Sequence, residues 1–203
     1  MYLRAGLWTL AALAVFALIF AFLPSGGQTG AETGAKLSGV ALSLYPARDE
    51  GAVWRFRAAN VSSDPVVGET RLSGLSDGQR LLREKNKAGI YTGRETLDAT
   101  LAAPDLTIDS QDNMTTQKAR ITLVAQCADI DLTGNATQPV KIEQGYGFTT
   151  PLATISSPAI TGRLAKLRMS FQFVIEDVDN DNSSWSANLD STETCKNGKR
   201  VQL

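Results

Sequence analysis

Three groups of residues carry chemistry beyond packing. Asp177, Asp179 and Asp181 alternate within "IEDVDNDNSSWSAN", and carboxylates at that spacing open a calcium loop when the chain bends tightly around the ion. Such a loop needs glycine at its sixth position and a bidentate glutamate at its twelfth. This chain has Asn182 and Asn188 there, so the segment reads as a solvated acidic turn inside a hairpin, and no metal site is assigned. The run "RLLREKNK" gathers Arg80, Arg83, Lys85 and Lys87, which could meet lipid phosphates, although a charge run is ordinarily a hydrated face. Cys127 and Cys195 are the only two thiols.

The absences are as informative. Histidine is missing from all 203 residues, which removes the usual general base at neutral pH, the Ser/His and Cys/His nucleophile pairs and every His-containing metal site. No nucleotide, phosphate-loop or nucleophile-elbow motif is present. The expectation is a protein that is not an enzyme, with no catalytic residues and no cofactor. Twenty basic residues against 21 acidic ones leave a net charge of -1, without the basic excess that nucleic-acid binding requires. Asn60, Asn113, Asn135 and Asn182 each begin an N-x-S/T sequon, which matters only in a host that glycosylates them.

The element that sets the location is at the N-terminus. From Leu7 to Leu23 the chain runs 17 residues without a charge, preceded by Arg4 and closed by "PSGGQTG". As a helix the run reaches about 26 Å, just short of the ~30 Å hydrocarbon core, with Ala5 and Gly6 available to extend it and Trp8 placed for the interface. A cleaved signal peptide is the competing reading, but its apolar stretch is shorter and ends in a small-x-small site. A type IV pilin-like helix would carry a glutamate near its start and continue as an amphipathic rod, whereas this one has Ala11 there and stops at Pro24. The reading is a retained transmembrane anchor over residues 1–24, a flexible linker over 25–38 and a folded domain over 39–203. Arg4 and the free amine hold the N-terminus in the cytoplasm, so the domain lies outside the inner membrane. Both cysteines then sit in an oxidising compartment with no third thiol to compete, and a Cys127–Cys195 disulfide is expected.

Beyond the linker the apolar period changes to two. Val40, Leu42 and Leu44 alternate with small or polar residues, as do Trp54, Phe56 and Ala58; then Leu97, Ala99 and Leu101; Leu106 and Ile108; Ala119, Ile121, Leu123, Ala125 and Cys127; and Leu167, Met169, Phe171, Phe173 and Ile175. Turn-forming clusters such as "SSDP", "SDG", "SQDN" and "TGN" separate them. This is the signature of half-buried antiparallel strands, and the fold class is all-β: a sandwich, a jelly roll or an open folded sheet. "SDGQRLLREKNKAG" is the one helix candidate after the linker, and it fits a strand with a basic turn equally well.

The segments "LSLYPARDEGAVWRFRAANVSSDP" and "LAAPDLTIDSQDNMTTQKARITL" resemble the periplasmic domain of LptC-like proteins, and the second also resembles OstA-like sheets. The likeness covers residues 1 to 132 and extends to the single N-terminal span and short linker. It implies an open β-jelly roll, whose apolar interior receives the acyl chains of lipopolysaccharide from an inner-membrane ABC transporter and whose edge strands pair with an OstA-like periplasmic protein. No catalytic residue belongs to that function. The last third, with "EQGYGFTTPLATISSPAITG", departs from the pattern.

A sheet folded on itself without closing offers an apolar inner face to aliphatic chains and an unpaired rim to a further strand. The inner-face residues assigned to a lipid-binding groove are Trp54, Phe56, Leu106, Ile108, Ile121 and Leu123. The alternative is that they form an ordinary sealed core, as in an envelope scaffold or interaction module. If the anchor is retained, alkaline carbonate washing leaves the protein in the membrane pellet and N-terminal sequencing begins at or next to Met1; a mature N-terminus between Ser25 and Lys36 would establish cleavage.

Overall fold

The computed structural model describes residues 34–190 and 192–203. The apolar run Leu7–Leu23 and most of the linker lie outside the described residues. All regular structure among those described is β. The strands are β1 (Ala35–Leu44), β2 (Ala52–Asp64), β3 (Glu69–Lys85), β4 (Tyr91–Ala102), β5 (Asp105–Ile108), β6 (Met114–Thr116), β7 (Lys118–Leu123), β8 (Ala128–Thr133), β9 (Val140–Glu143), β10 (Gly147–Ser156), β11 (Ile160–Ser170), β12 (Ile175–Ala187), β13 (Glu193–Lys196) and β14 (Lys199–Gln202).

The pairings reduce to an antiparallel meander. β4 and β5 lie along the same edge of β3, in register with its second and first halves. β7 and β6 continue that pattern against them, β8 and β9 follow, and β10 takes β8 on its second half and β9 on its first. β4–β5, β6–β7 and β8–β9 are therefore three long strands, each broken once, and the ladder runs from β1 at one edge to β12 at the other.

The breaks line up as a crease. In β2 the inward set is Trp54, Phe56, Ala58 and then Val61; in β4–β5 it is Leu101, Ala103 and then Leu106, Ile108; in β6–β7, Met114, Thr116 and then Ala119, Ile121, Leu123; in β10, Phe148, Thr150 and then Ala153, Ile155. Each strand changes its inward parity near its middle, as strands do when they turn a corner between two layers through a bulge or bend. Two leaves result, and their inner faces share one apolar core.

Small residues occupy the crease because backbones approach there. Gly74 lies at φ +61°, and a Cβ on it would stand 2.8 Å from the Ala59 Cβ; its N–H donates to the Pro104 carbonyl, tying β3 to the β4–β5 break.

The structure redraws several boundaries. The linker assigned to 25–38 ends sooner, because Ala35–Ser38 pair with Asn60–Ser63 as the start of β1. "SDGQRLLREKNKAG" is strand and hairpin turn, within β3 and the loop after it. The strand expected over 167–176 reverses at 171–174, where Ser170 Oγ accepts from the Gln172 and Val174 amides. Asp177, Asp179 and Asp181 consequently lie along β12 and do not form a turn; Lys166 Nζ meets Asp179 at 2.7 Å across the pair. The 119–127 run likewise stops at Leu123, and Ala125 is an exposed turn residue. A register shift between Ala99 and Leu97 turns Leu97 outward.

Cys127 and Cys195 are joined by a disulfide across 68 residues, fixing the β13–β14 hairpin to the β7–β8 turn. On the chain-entropy model a loop of that size contributes about 4 kcal/mol. Arg200 reinforces the clip through the Cys127 carbonyl at 3.1 Å and Ser156 Oγ at 3.0 Å.

Gly74→Ala should destabilise the domain by about 2–4 kcal/mol, combining a left-handed backbone with overpacking against Ala59. Gly89→Ala, also at positive φ but with open space around its Cβ, should lose only about 1–2 kcal/mol. Urea unfolding compares the two, and equal losses would show that the approach at the crease is not tight.

Candidate functional site

Opposite the crease, the free rims of the two leaves meet in a seam. Trp54 Nε1 donates to Gln144 Oε1 at 3.0 Å, and the Ala47 amide donates to Asp112 Oδ2 at 3.2 Å. Phe171 packs edge-on to Trp54, with ring centres 5.9 Å apart. Arg80, the cross-strand neighbour of Trp54, lies 4.3 Å above the Phe171 ring and forms ion pairs with Asp49 and Asp98. Arg80 Nε and Gln144 Nε2 are buried without a hydrogen-bond partner among the described residues. An unsatisfied buried donor costs about 1–3 kcal/mol, so the seam is a less fully satisfied contact between the leaves than the crease.

Of the residues assigned to a groove, Trp54, Phe56, Ile121 and Leu123 are at most 2% exposed, and Ile108 is buried as well. They belong to the core cluster. Leu106, also buried, is the one that borders the large cleft. That cleft, about 850 Å³, crosses the start of β1, the end of β2 and the start of β3 and reaches β5, β6 and the β8–β9 loop. Its volume falls within the ~300–1,000 Å³ common for small-molecule sites.

Sheet register explains its apolar side. Leu37 pairs with Val61, Val61 with Leu72, and Leu72 with Leu106, forming one cross-strand row over four strands. Exposure along the row falls from 53% at Leu37 to 5%, 1% and 1%. The inner face of the fold thus begins at the edge strand, open to solvent, and runs without a polar interruption into the core. Lys36, Arg71 and Asp105 stand on the exposed margin of the same cleft, with Arg71 paired to Glu69 at 3.0 Å. Leu37, Val61 and Leu72 were not among the sequence-assigned residues. Leu37 sits between glycines in a stretch read as linker, and only the pairing register joins it to the others.

The basic run divides. Arg80 is buried in the seam and unavailable to a ligand. Arg83 donates to the Glu50 carbonyl and stacks on Tyr91, 4.1 Å from the ring centre, with Lys85 on the same ring at 4.6 Å. Lys87 alone lies in the exposed hairpin turn. On the outer face of the sheet, Arg120 binds Asp131 in a fork at 2.6 and 2.7 Å, and that hydrogen bonding holds the Asp131 carboxyl below its usual range. Lys166 does the same to Asp179.

The two ends of the ladder differ chemically. β1 presents one charge, Lys36, in "AKLSGVALSL", whereas β12 carries Glu176, Asp177, Asp179 and Asp181. Comparison with protein-family models finds no match, and comparison with curated proteins finds none either.

Arg80→Ala leaves the half-buried Asp49 and Asp98 carboxylates without their shared cation, and should destabilise the domain by about 3 kcal/mol. Arg80→Met combined with Asp49→Asn and Asp98→Asn should recover most of that loss, because no buried charge is then unpaired. Thermal or urea unfolding of the two variants checks the difference.

Proposed function

We propose that this protein is a membrane-anchored, extracytoplasmic lipid-transfer component of the LptC type. It receives lipopolysaccharide or a related envelope lipid from an inner-membrane ABC transporter, and hands it on through edge pairing with an OstA-like periplasmic protein. The observation that carries the reading is the apolar row Leu37–Val61–Leu72–Leu106, which runs from the end strand β1 into the interior of a creased sheet.

Each CH₂ that leaves water along this row gains about 0.8 kcal/mol, so an acyl chain is drawn from the β1 margin toward Leu106. Farther in, Trp54, Phe56, Ile121 and Leu123 already fill the space. Passage along the full inner face therefore requires the leaves to part, and the seam, with its two unsatisfied donors, is where they separate most cheaply. Among the described strands β1 and β12 are the two ends of the ladder, and each offers an edge for strand addition.

The closed core favours a second reading, an envelope scaffold that uses the same two edges and carries no lipid. Photo-crosslinking in living cells separates the two. A crosslinking residue at Leu37 or Leu106 should capture envelope lipid, while one at the outward-facing Arg57 or Thr122 should not. Capture at Ile121 is expected only with an active transporter, when the leaves open. A folded, membrane-retained protein that captures lipid at neither Leu37 nor Leu106 is the scaffold.

A further inference from the structure

Among the described residues β13 and β14 pair only with each other, from Glu193 opposite Gln202 to Lys196 opposite Lys199, and stand apart from the main sheet. A two-stranded hairpin is marginal in water by itself. This one is held by the disulfide, by Arg200 and by its tip, where a Cβ on Gly198 would stand 2.8 Å from Val124 Cγ1. Val124, Cys127 and Ser156 all lie on the rim of one leaf, the leaf that contains β7 and β8.

That anchorage leads back to the seam. The Val124 amide donates to the Asp98 carbonyl at 2.9 Å; the Asp98 carboxylate pairs with Arg80, and Arg80 lies over Phe171. Phe171 and Phe173 share the reversal after β11, on the rim of the opposite leaf. Phe173, packed against the core, borders the same cleft of about 320 Å³ as Thr194 and Cys195. The hairpin thus sits over one end of the seam, bonded to one leaf and divided from an aromatic side chain of the other by a single small cleft. Cys127 takes φ +49°, the left-handed position of a bulged hairpin turn that ordinarily falls to Gly or Asn. A cysteine there serves the bond and not the turn.

We propose that the β13–β14 hairpin is a redox-released latch on the seam, opened by a dithiol reductant of the thioredoxin type. Cys127 is 5% exposed, whereas Cys195 is half-buried and borders the cleft, so attack falls on Cys195. A thiolate of the reductant bonds to Cys195 Sγ, and the Cys127 sulfur leaves and takes up a proton. The reductant's second thiolate then displaces Cys195, which is protonated in turn; two electrons pass to the pair and the reductant departs as a disulfide. With the bond broken the hairpin leaves the rim and the leaves part from this end. The latch rests on the parting of the leaves invoked for lipid transfer, and its readouts need no lipid.

The test follows amide hydrogen exchange by mass spectrometry in the full chain in detergent micelles, before and after dithiothreitol. Reduction without denaturant should speed exchange about tenfold in peptides over 143–147 and 170–175 at the seam, and over 193–203, while 72–76 at the crease is unchanged. A rise confined to 193–203 makes the clip a local one, and an equal rise at 72–76 makes it a general stabiliser; either overturns the latch, as does a bond that resists reduction until denaturant is added. Cys127→Ser with Cys195→Ser should show the reduced pattern and no response to dithiothreitol. If that variant does not fold, reoxidation of the reduced wild type by oxidised glutathione takes its place, and seam exchange that stays fast counts against the latch. A thioredoxin-type dithiol whose second thiol is replaced by serine should be trapped on Cys195; trapping on Cys127, or on neither, overturns the exchange step. Lipid capture at Leu37 and Leu106 is scored apart from all of these, so the latch and the lipid reading fail separately.

Discussion

A strand that belongs to two layers must change the parity of its inward side chains where it passes from one to the other, and the rest of this structure depends on that change. With a period of two, an uninterrupted strand bent over the core at the wrong residue would present its apolar set to water in one leaf. Here the change falls at a similar level in β2, β4–β5, β6–β7 and β10, so the irregularities form a line and the sheet folds along it. Gly74 and Ala59 let the backbones close up on that line, and Pro104 breaks β4 from β5 there. The single core containing Trp54, Phe148, Ile121 and Leu106 is a product of the crease, and so is the seam, because folding the sheet brings its rims together.

The crease and the seam hold the leaves by different means. Continuous backbone joins the leaves at the crease, whereas the seam is held by isolated contacts: the Trp54 indole on the Gln144 amide, the Phe171 ring against Trp54 and Arg80, and the Ala47 amide on Asp112. Charge on the outer face, such as the Arg120–Asp131 fork, sits in solvent and contributes little to stability. Resistance to separation thus comes from the shared apolar core together with the seam contacts of Trp54, Arg80, Gln144 and Phe171, and an opening motion would pivot on the crease and break both. The end strands β1 and β12 take no part in either closure, so the ladder's two edges stand apart from the hinge and from the seam.

Much of this is legible in the amino-acid sequence. Alternation at 54, 56 and 58, at 106 and 108, and at 119, 121 and 123 identified strands and their buried phase, and all three sets are buried. The parity change from Leu101 to Leu106 was equally visible, but from sequence it fits two separate strands as well as one creased strand, and only register tells them apart. Alternation also misleads at turns. Phe171, Phe173 and Ile175 keep period two straight through a reversal, because Ser170 supplies the turn with a side chain that carries no strong turn signal. The acidic residues that looked like a loop are strand residues set opposite Lys166 and Arg168, an effect of cross-strand charge that a window of neighbouring residues does not contain. Leu37 escaped for a related reason: its partner Val61 lies far along the chain.

The strand order follows the chain order from one edge of the ladder to the other, and this bears on how the molecule forms. Each strand, or broken strand, finds its partner next to it in sequence, so closing every hairpin requires only a short loop and the associated entropy cost is small. The sheet can grow by adding hairpins in succession as the chain emerges, without waiting for a distant segment. The seam and the Cys127–Cys195 tie are the long-range closures, and because the second cysteine lies beyond the last strand of the meander, that tie can form only on a chain whose hairpins have all been made available.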